Sequence, residues 1–450
     1  MQLTISNALT LINIPPDFSD QIRRRLTFPN PKWIENDRLG YWNGNTPRNI
    51  EGFTLTDNGL IIPRGFGRQL LSMSRELGIH LDIIDNRRTL PEVPFTFRGT
   101  LKPFQEQAGK DVMARDFGTL SAPTGSGKTV MALSIIAQRW QPALIVVHTK
   151  ELLEQWTDRI LTFLSIPKEQ IGIIGNGKRT VGDRITVALV QSLYKCAAEV
   201  AQKIGFLIVD ECHRAPSRIF TEAVTAFDSR FMLGLSATAF RRDGLGRLIW
   251  WYIGDMVHEI QREALQDSGD ILRAEVVSRE TSFRTDLDPC EEYSRMLSEL
   301  TEDRARNSLI AADVVKEARN GNGVCLVLSD RKAHCETLAW MIKGRGVSAE
   351  ILTGDLANGK RQEIVDRLNA GAVKVLVATG QLIGEGFDCK ALSTLFLGTP
   401  VKFSGRLIQY LGRVLRPAPG KDRARVFDYV DTHVGVLKAA ARARARVYHR

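Results

Sequence analysis

From about residue 96 onward, short runs of Val, Ile and Leu alternate with amphipathic segments of helix length. Unbroken apolar runs, as opposed to strictly alternating ones, mark strands buried on both faces, as in a parallel sheet covered by helices on each side. In the first stretch the strand candidates are ALIVVHT (143–149), IGIIG (171–175), ITVALV (185–190), FLIVDE (206–211) and FMLGLSAT (231–238). The alternation resumes after about residue 272 with VCLVLSD (324–330), SAEILTGD (348–355), VKVLVATG (373–380), STLFLGT (393–399) and RVFDYVD (425–431). Residues 1–95 have another texture, with turn-rich stretches FPNPKW and YWNGNTP, and TLPEVP at 89–94 reads as a linker. The pattern predicts an α/β protein with two parallel-sheet lobes in tandem, 96–271 and 272–450, behind a small accessory domain, 1–95.

Composition narrows the class. At 43% hydrophobic and 25% charged residues, the chain is an ordinary globular sequence. No apolar run approaches the ~20 residues of a membrane span, and the first basic residue is Arg23, so neither a membrane partner nor a secretory signal is expected. Six cysteines, at 196, 212, 290, 325, 335 and 389, contain no C-x-x-C pair. They read as thiols in a reducing, cytoplasmic compartment. The net charge of +10 is uneven, because residues 401–450 hold 12 Lys/Arg against 3 Asp/Glu. That end is where a polyanion would be drawn most strongly, or it is a solvated basic face.

Chemistry enters at SAPTGSGKTV, residues 121–130. A strand-like run, Gly118 to Ser121, enters it and an apolar-periodic helix leaves it. Gly125 and Gly127 permit backbone turns that aim successive N–H groups at an anion, with Thr124 and Ser126 completing the loop. Lys128 would reach the outer phosphates of a nucleotide, and Thr129 would place its hydroxyl on Mg²⁺. Ala122 stands where the strict motif begins with Gly. A nucleotide hydrolase of this kind needs a carboxylate at a nearby strand end, and FLIVDECH supplies it. Asp210 would hold Mg²⁺, and Glu211 would orient and deprotonate the attacking water.

These motifs resemble those of superfamily 2 helicases of the DECH or DEAH-like type, in the family's order from about Arg98 to Asp431. LKPFQEQA (101–108) is similar to the upstream glutamine motif, which implies that Gln105 reads adenine. VVHTKELLEQW (146–156) and VALVQSL (187–193) resemble strand-tracking motifs, and LSAT, with Ser236 and Thr238, the motif linking hydrolysis to lobe movement. LVATGQLIGEGFD (376–388), with Gly386 and Asp388, resembles a motif touching both nucleic acid and the inter-lobe site. QYLGRVLRP (409–417) resembles the arginine-finger motif. The resemblance implies two RecA-like lobes, ATP with Mg²⁺, and Arg413 and Arg416 as finger candidates beside Gln409. Thr149, at a strand end before a helix, could offer its hydroxyl and backbone N–H to a track phosphate, and Thr353 and Thr379 occupy similar strand ends. Within the superfamily the chain is most similar to phage recombination and branch-migration helicases and the XPB-like group. GLSATAFRRDG departs from that group's Arg-Glu-Asp element by carrying Arg242 between Arg241 and Asp243.

The resulting expectation is a monomeric ATP-dependent motor on single-stranded, forked or branched DNA, acting in the cytoplasm of a bacterium or phage-infected cell. An RNA helicase and the motor subunit of a restriction system remain alternatives. A nuclease in residues 1–95 is disfavoured, since their lone lysine, Lys32, lies two residues after Asn30 rather than an acid. Trp33, Tyr41 and Trp42 could stack on bases while Arg23, Arg24 and Arg25 meet phosphates. On this reading residues 1–95 could be removed with DNA-stimulated hydrolysis kept, and the Arg442–Arg450 tail would contribute affinity.

Overall fold

The computed structural model describes the chain except at 215–217, 238–244, 290, 322, 357, 381–388, 390, 402–403, 419–420, 422 and 449–450, and except the side chains of 214, 218, 358, 404–406, 408 and 409. The chain divides into two compact units, Met1–Ala122 with Gly127–Ile260, and Pro123–Ser126 with Gln261–Arg450.

The first unit contains two large sheets built on different principles, and a two-stranded ribbon. Near the N-terminus, β1 (Gln2–Ile5), β2 (Ala8–Ile12), β5 (Thr54–Thr56), β6 (Gly59–Pro63) and β7 (Asp82–Asp85) form a mixed sheet in the order β5-β6-β2-β1-β7. A separate ribbon pairs β3 (Thr27–Pro29) with β4 (Asn49–Glu51). The alternating burial of β2 and β6 leaves one face for a core of Leu9, Leu11, Leu60 and Ile62 with Phe18, Phe66 and Leu70.

The larger sheet of this unit runs β11-β10-β12-β9-β13-β14-β8-β15. Its strands are β8 (Phe117–Ser121), β9 (Ala143–Val147), β10 (Gly172–Gly175), β11 (Lys178–Arg179), β12 (Ile185–Leu189), β13 (Phe206–Val209), β14 (Phe231–Ser236) and β15 (Met256–Glu259). All neighbours are parallel except β10 and β11. Every residue of β9, β12 and β13 is buried, which accounts for their unbroken apolar sequence.

The helix Gly246–Ile253 joins the two cores of this unit. Ile249 and Ile253 pack with the large sheet, and Leu248 and Trp251 pack in the N-terminal core. The stretch that reads as a linker is tied down as well. Gln141 Oε1 accepts from Leu90 N, and Gln141 Nε2 donates to Leu90 O, both at 2.9 Å. Val93 N donates to Trp140 O at 2.9 Å.

The second unit carries a six-stranded, wholly parallel sheet in the order β16-β21-β20-β17-β19-β18. Its strands are β16 (Ala274–Glu280), β17 (Val324–Ser329), β18 (Ala349–Leu352), β19 (Val375–Thr379), β20 (Leu392–Leu397) and β21 (Ala424–Val430). One core joins Val327, Val377, Phe396 and Tyr429 to the helices Arg304–Asn320 and Lys332–Lys343 through Val314 and Leu338. Arg306 lies fully buried, donating to Asp431 at 2.9 Å and to Gly398 O at 2.6 Å. Among the described residues, no helix is long and apolar enough to cross a membrane.

Candidate ATP site and nucleic-acid track

β8 delivers the chain to the glycine-rich loop, and the helix Lys128–Arg139 begins immediately after it with no side-chain cap at its N-terminus. Gly125 and Gly127 have φ of 94° and 85°, left-handed backbone that a side chain would strain. Ser126 Oγ donates to Pro123 O at 2.7 Å, and Lys128 Nζ folds back to donate to Ala122 O at 2.8 Å. The ammonium is thereby held at the strand end beside the loop. Gln105 lies against the same loop, because a Cβ on Gly127 would come 2.5 Å from its Nε2. Its Oε1 accepts from Lys102 N at 2.9 Å, which fixes the amide at the first turn of the helix Pro103–Met113. Thr124 and Thr129 lie in the loop and in the first turn of its helix.

Asp210 stands one residue past β13, with β14 between that strand and β8. It is buried, and two donors orient it: Trp156 Nε1 to Oδ2 at 2.8 Å, and Glu211 N to Oδ1 at 2.9 Å. Burial, and then the adjacent Glu211 carboxylate, push its pKa up to about 6. Glu211 itself has φ of 49°, an uncommon conformation for a non-glycine residue. His213 Nδ1 lies 3.1 Å from Glu211 Oε2 and 3.1 Å from Ser236 Oγ. One imidazole nitrogen therefore lies close to both the second acid and the end of β14. Burial raises the pKa of the neighbouring Cys212 thiol well above its ordinary value, keeping it protonated.

Trp156 and His213 are orienting residues that the motif resemblance does not reveal, although both stand inside the motifs VVHTKELLEQW and FLIVDECH; the His three residues after Asp210 is the available signal. Thr238, Gly386 and Asp388 lie outside the described residues, as do Arg241, Arg242, Asp243 and the side chain of Gln409.

In the second unit Arg413 occupies the last turn of the helix Ser404–Val414, and Arg416 follows it; both are half-buried. Lys421 Nζ donates to the carbonyls of Val414 and Arg416, the latter at 2.7 Å, and so fixes the backbone carrying Arg416. Burial and the nearby Arg416 lower the Lys421 pKa to about 8. Tyr410, on the same helix, donates from Oη to Gly380 O at 2.8 Å, tying it to the end of β19.

Thr149, Thr353 and Thr379 all sit at strand ends. Thr149 follows β9 and its Oγ1 accepts from Leu152 N at 3.3 Å, capping the helix Lys150–Leu164. Thr379 ends β19, and Thr353 lies one residue past β18, in register beside it. Thr353 and Thr379 are thus neighbours on one sheet edge.

Residues 98–241 match the family described as type III restriction enzyme, res subunit, and residues 306–418 match the helicase conserved C-terminal domain. A protein of Acanthamoeba polyphaga mimivirus named as an ATP-dependent RNA helicase, L396, is 27% identical, covering 93% of this chain and 78% of its own length. The DNA 3'-5' translocase XPB2 of Sulfurisphaera tokodaii is 25% identical, covering 76% and 84% respectively. The structure of an HsdR fragment of a type I restriction enzyme from Vibrio vulnificus shares the fold, with a TM-score of 0.57, 18% identity and coverage of 78% of this chain and 66% of that one. With one family match in each lobe and relatives named as helicases and translocases, the chain is a superfamily 2 helicase, an enzyme that hydrolyses ATP and acts on nucleic acid.

Proposed function

We propose that this helicase is an ATP-dependent DNA motor that unwinds or remodels branched DNA. The observation that carries the reading is the core shared through the helix Gly246–Ile253. Two motor lobes can pull along one strand, but separating a junction requires an element that does not yield when the motor steps. The N-terminal module is continuous with the ATP-binding lobe, so a force developed there is delivered without a flexible tether. The match to XPB2 over 84% of that relative's length supports DNA as the track. An RNA track is the second reading, favoured by the name of the mimivirus relative.

In this reading Thr124 to Gly127 cradle the phosphates of ATP, Lys128 neutralises their outer oxygens and Gln105 contacts adenine. Thr129 and Asp210 would hold Mg²⁺. The donors are hard oxygens, and a dication would relieve the repulsion between the Asp210 and Glu211 carboxylates. Bound there, Mg²⁺ neutralises charge on the phosphate oxygens. Glu211 accepts the proton of the attacking water, and His213 holds its carboxylate in place. Arg413 and Arg416 supply positive charge to the transferring phosphoryl group, with Gln409 as a further polar contact. Ser236, Thr238, Gly386 and Asp388 couple hydrolysis to movement. Thr149, Thr353 and Thr379 contact track phosphates, which carry no sequence information.

The test is ATPase stimulation and strand separation measured side by side on single-stranded, duplex, forked and four-way-junction DNA, and on RNA. The reading requires branched DNA to be the best substrate for separation. Stronger stimulation and unwinding with RNA would replace it by the second.

A further inference from the structure

Between β3 and β4 the chain leaves the N-terminal module as an excursion, residues 30–48. Its helix, Pro31–Arg38, buries none of its residues. A helix in a globular domain normally hides an apolar stripe. Here the apolar groups face water: Ile34 and Leu39 are 50% exposed, Tyr41 66% and Trp42 90%.

The excursion is nonetheless a built object. At its base Asn30 caps the helix, its Oδ1 accepting from Lys32 N at 3.1 Å, while its Nδ2 donates to Pro47 O at 3.0 Å. At its apex Tyr41 N donates to Asn36 O at 2.8 Å, and Asn36 Nδ2 donates to Asn43 Oδ1 at 3.1 Å. Gly44, with φ of 50°, lies beneath the Trp42 indole, where a Cβ would come 2.9 Å from the ring. Trp33 is committed elsewhere, with the Arg48 guanidinium 5.4 Å over its ring. Tyr41 and Trp42 are therefore held outward by a braced turn.

We infer that the Tyr41–Trp42 turn is a base-stacking site that engages unpaired bases where strands of a DNA branch separate. The inference rests on the proposed DNA-motor reading and deepens it. Charge selects this occupant over an apolar protein surface, since residues 23–48 carry six Lys/Arg against two Asp/Glu. Arg24, Arg25, Lys32, Arg38 and Arg48 are exposed around the excursion. Aromatic faces among cations suit a polyanion with exposed bases, because stacking tolerates any base and the cations meet the backbone.

The experiment compares the full-length protein with the Tyr41→Ala/Trp42→Ala double variant, with Trp42→Phe, and with Trp340→Ala as a control for an exposed tryptophan elsewhere, 76% exposed. Affinity for forked and for linear single-stranded DNA is measured by fluorescence anisotropy, together with fork unwinding and thermal stability. The double variant should melt like the wild type, since neither side chain is buried, yet bind forks roughly 10–100-fold more weakly. Trp42→Phe should retain most of the fork affinity, and Trp340→Ala all of it. A wild type that prefers forks together with a double variant that prefers them equally overturns the inference alone. A wild type with no fork preference removes the underlying reading and the inference with it. A change of oligomeric state in the double variant would identify the turn as a contact between copies of the chain and overturn the inference too.

Discussion

Arg64, buried in the N-terminal module, donates from its guanidinium to the carbonyl oxygen of Ser229 at 2.7 Å, two residues before β14. Burial, then repulsion from Arg87, lowers its pKa to about 10, so the charge is kept at a cost that its hydrogen bonds must offset. Around it, Arg88 pairs with Asp228 at 3.0 Å and Arg87 with Asp116 at 2.9 Å. Arg64→Ala should therefore leave the Ser229 carbonyl unsatisfied and destabilise the first unit by about 1–3 kcal/mol. Chemical denaturation of the full chain measures this. The same geometry changes what a truncation can report. Removing residues 1–95 would expose Leu248 and Trp251 and take away the arginines that hold Asp228 and the Ser229 carbonyl, so the shortened protein should aggregate or melt early, contrary to the clean separation expected from sequence. A truncated protein with wild-type stability would refute the shared core.

Glu211 and Ser236 both approach Nδ1 of His213, and the parts of Glu211 and His213 in hydrolysis are testable separately. Glu211→Gln should reduce ATP hydrolysis about 10²–10⁴-fold while leaving nucleotide binding nearly intact, the scale of a lost general base. His213→Ala should do less, since the histidine acts through its neighbours; kcat should fall and the KM for ATP stay close to wild type. Steady-state kinetics with a fluorescent-nucleotide binding assay separate these outcomes. Near-normal turnover in Glu211→Gln would remove the carboxylate from its assigned role.

Arg413 and Arg416 carry the second unit's share of the chemistry in the proposed mechanism. Each substituted by Ala should lower nucleic-acid-stimulated hydrolysis by about 10³-fold or more, the scale of a lost arginine finger. Lys421→Ala should give a milder version by freeing the Val414 and Arg416 carbonyls that its ammonium holds. Stimulated rates at saturating nucleic acid, with circular dichroism to verify folding, measure both.

What sequence could and could not reveal follows from burial. The inner strands of both lobes were legible because residues hidden on both faces leave an unbroken apolar run, as in β9, β13 and β17. β16 escaped because it is an edge strand with charged, largely exposed residues such as Glu275, whose carboxylate accepts from Arg425 on β21. The phosphate loop and the paired acids are local, and so could be read from spacing. The partners that orient the chemistry are not local: Trp156 reaches Asp210 across 54 residues of sequence, and Tyr410, on the helix that carries Arg413, reaches Gly380 across 30. Charge alone was the poorest guide, since it could not distinguish an exposed arginine from one with a buried partner.

His334 offers a prediction about pH. Its Nε2 lies 2.8 Å from Asn307 Oδ1, and its Nδ1 lies 2.9 Å from Ser329 Oγ. The Asn307 amide nitrogen donates to Thr301 O, so its oxygen is the end that faces the ring and must accept. Nε2 therefore carries the proton, and Nδ1 is left to accept from the Ser329 hydroxyl. Burial, reinforced by Arg306, lowers the pKa to about 3, below the ordinary value of 6.5. Because the unfolded chain binds a proton that the folded chain resists, stability is present above about pH 6.5 and is lost as pH falls from there toward 3. Denaturation of the full chain at steps between pH 7 and 4 should show the slope, and His334→Gln should flatten it. Identical slopes would exclude the histidine as its source.

The C-terminal helix, Gly435–Tyr448, divides its arginines between two tasks. Arg444 is buried and donates to both oxygens of Asp428 on β21, at 2.7 to 3.0 Å, while Tyr448 Oη donates to Asp428 Oδ2 at 2.8 Å. Val447 packs beside them, out of solvent. Cutting the chain before Arg442 would strand a buried carboxylate, so such a truncation should unfold part of the second unit instead of simply weakening binding. Arg442 and Arg446 are exposed on the same helix and are the residues free to meet phosphates. Arg442→Ala/Arg446→Ala should keep wild-type stability, weaken DNA binding uniformly across sequences, and reduce the salt slope by about one unit for each phosphate no longer engaged. Arg444→Ala should do the reverse, lowering stability by about 3–5 kcal/mol, the cost of leaving one partner of a buried pair alone, with little change in the salt slope measured on the folded fraction. Titrations at several salt concentrations, paired with melting curves, measure both effects. A salt slope lowered by Arg444→Ala and untouched by the exposed pair would invert the assignment.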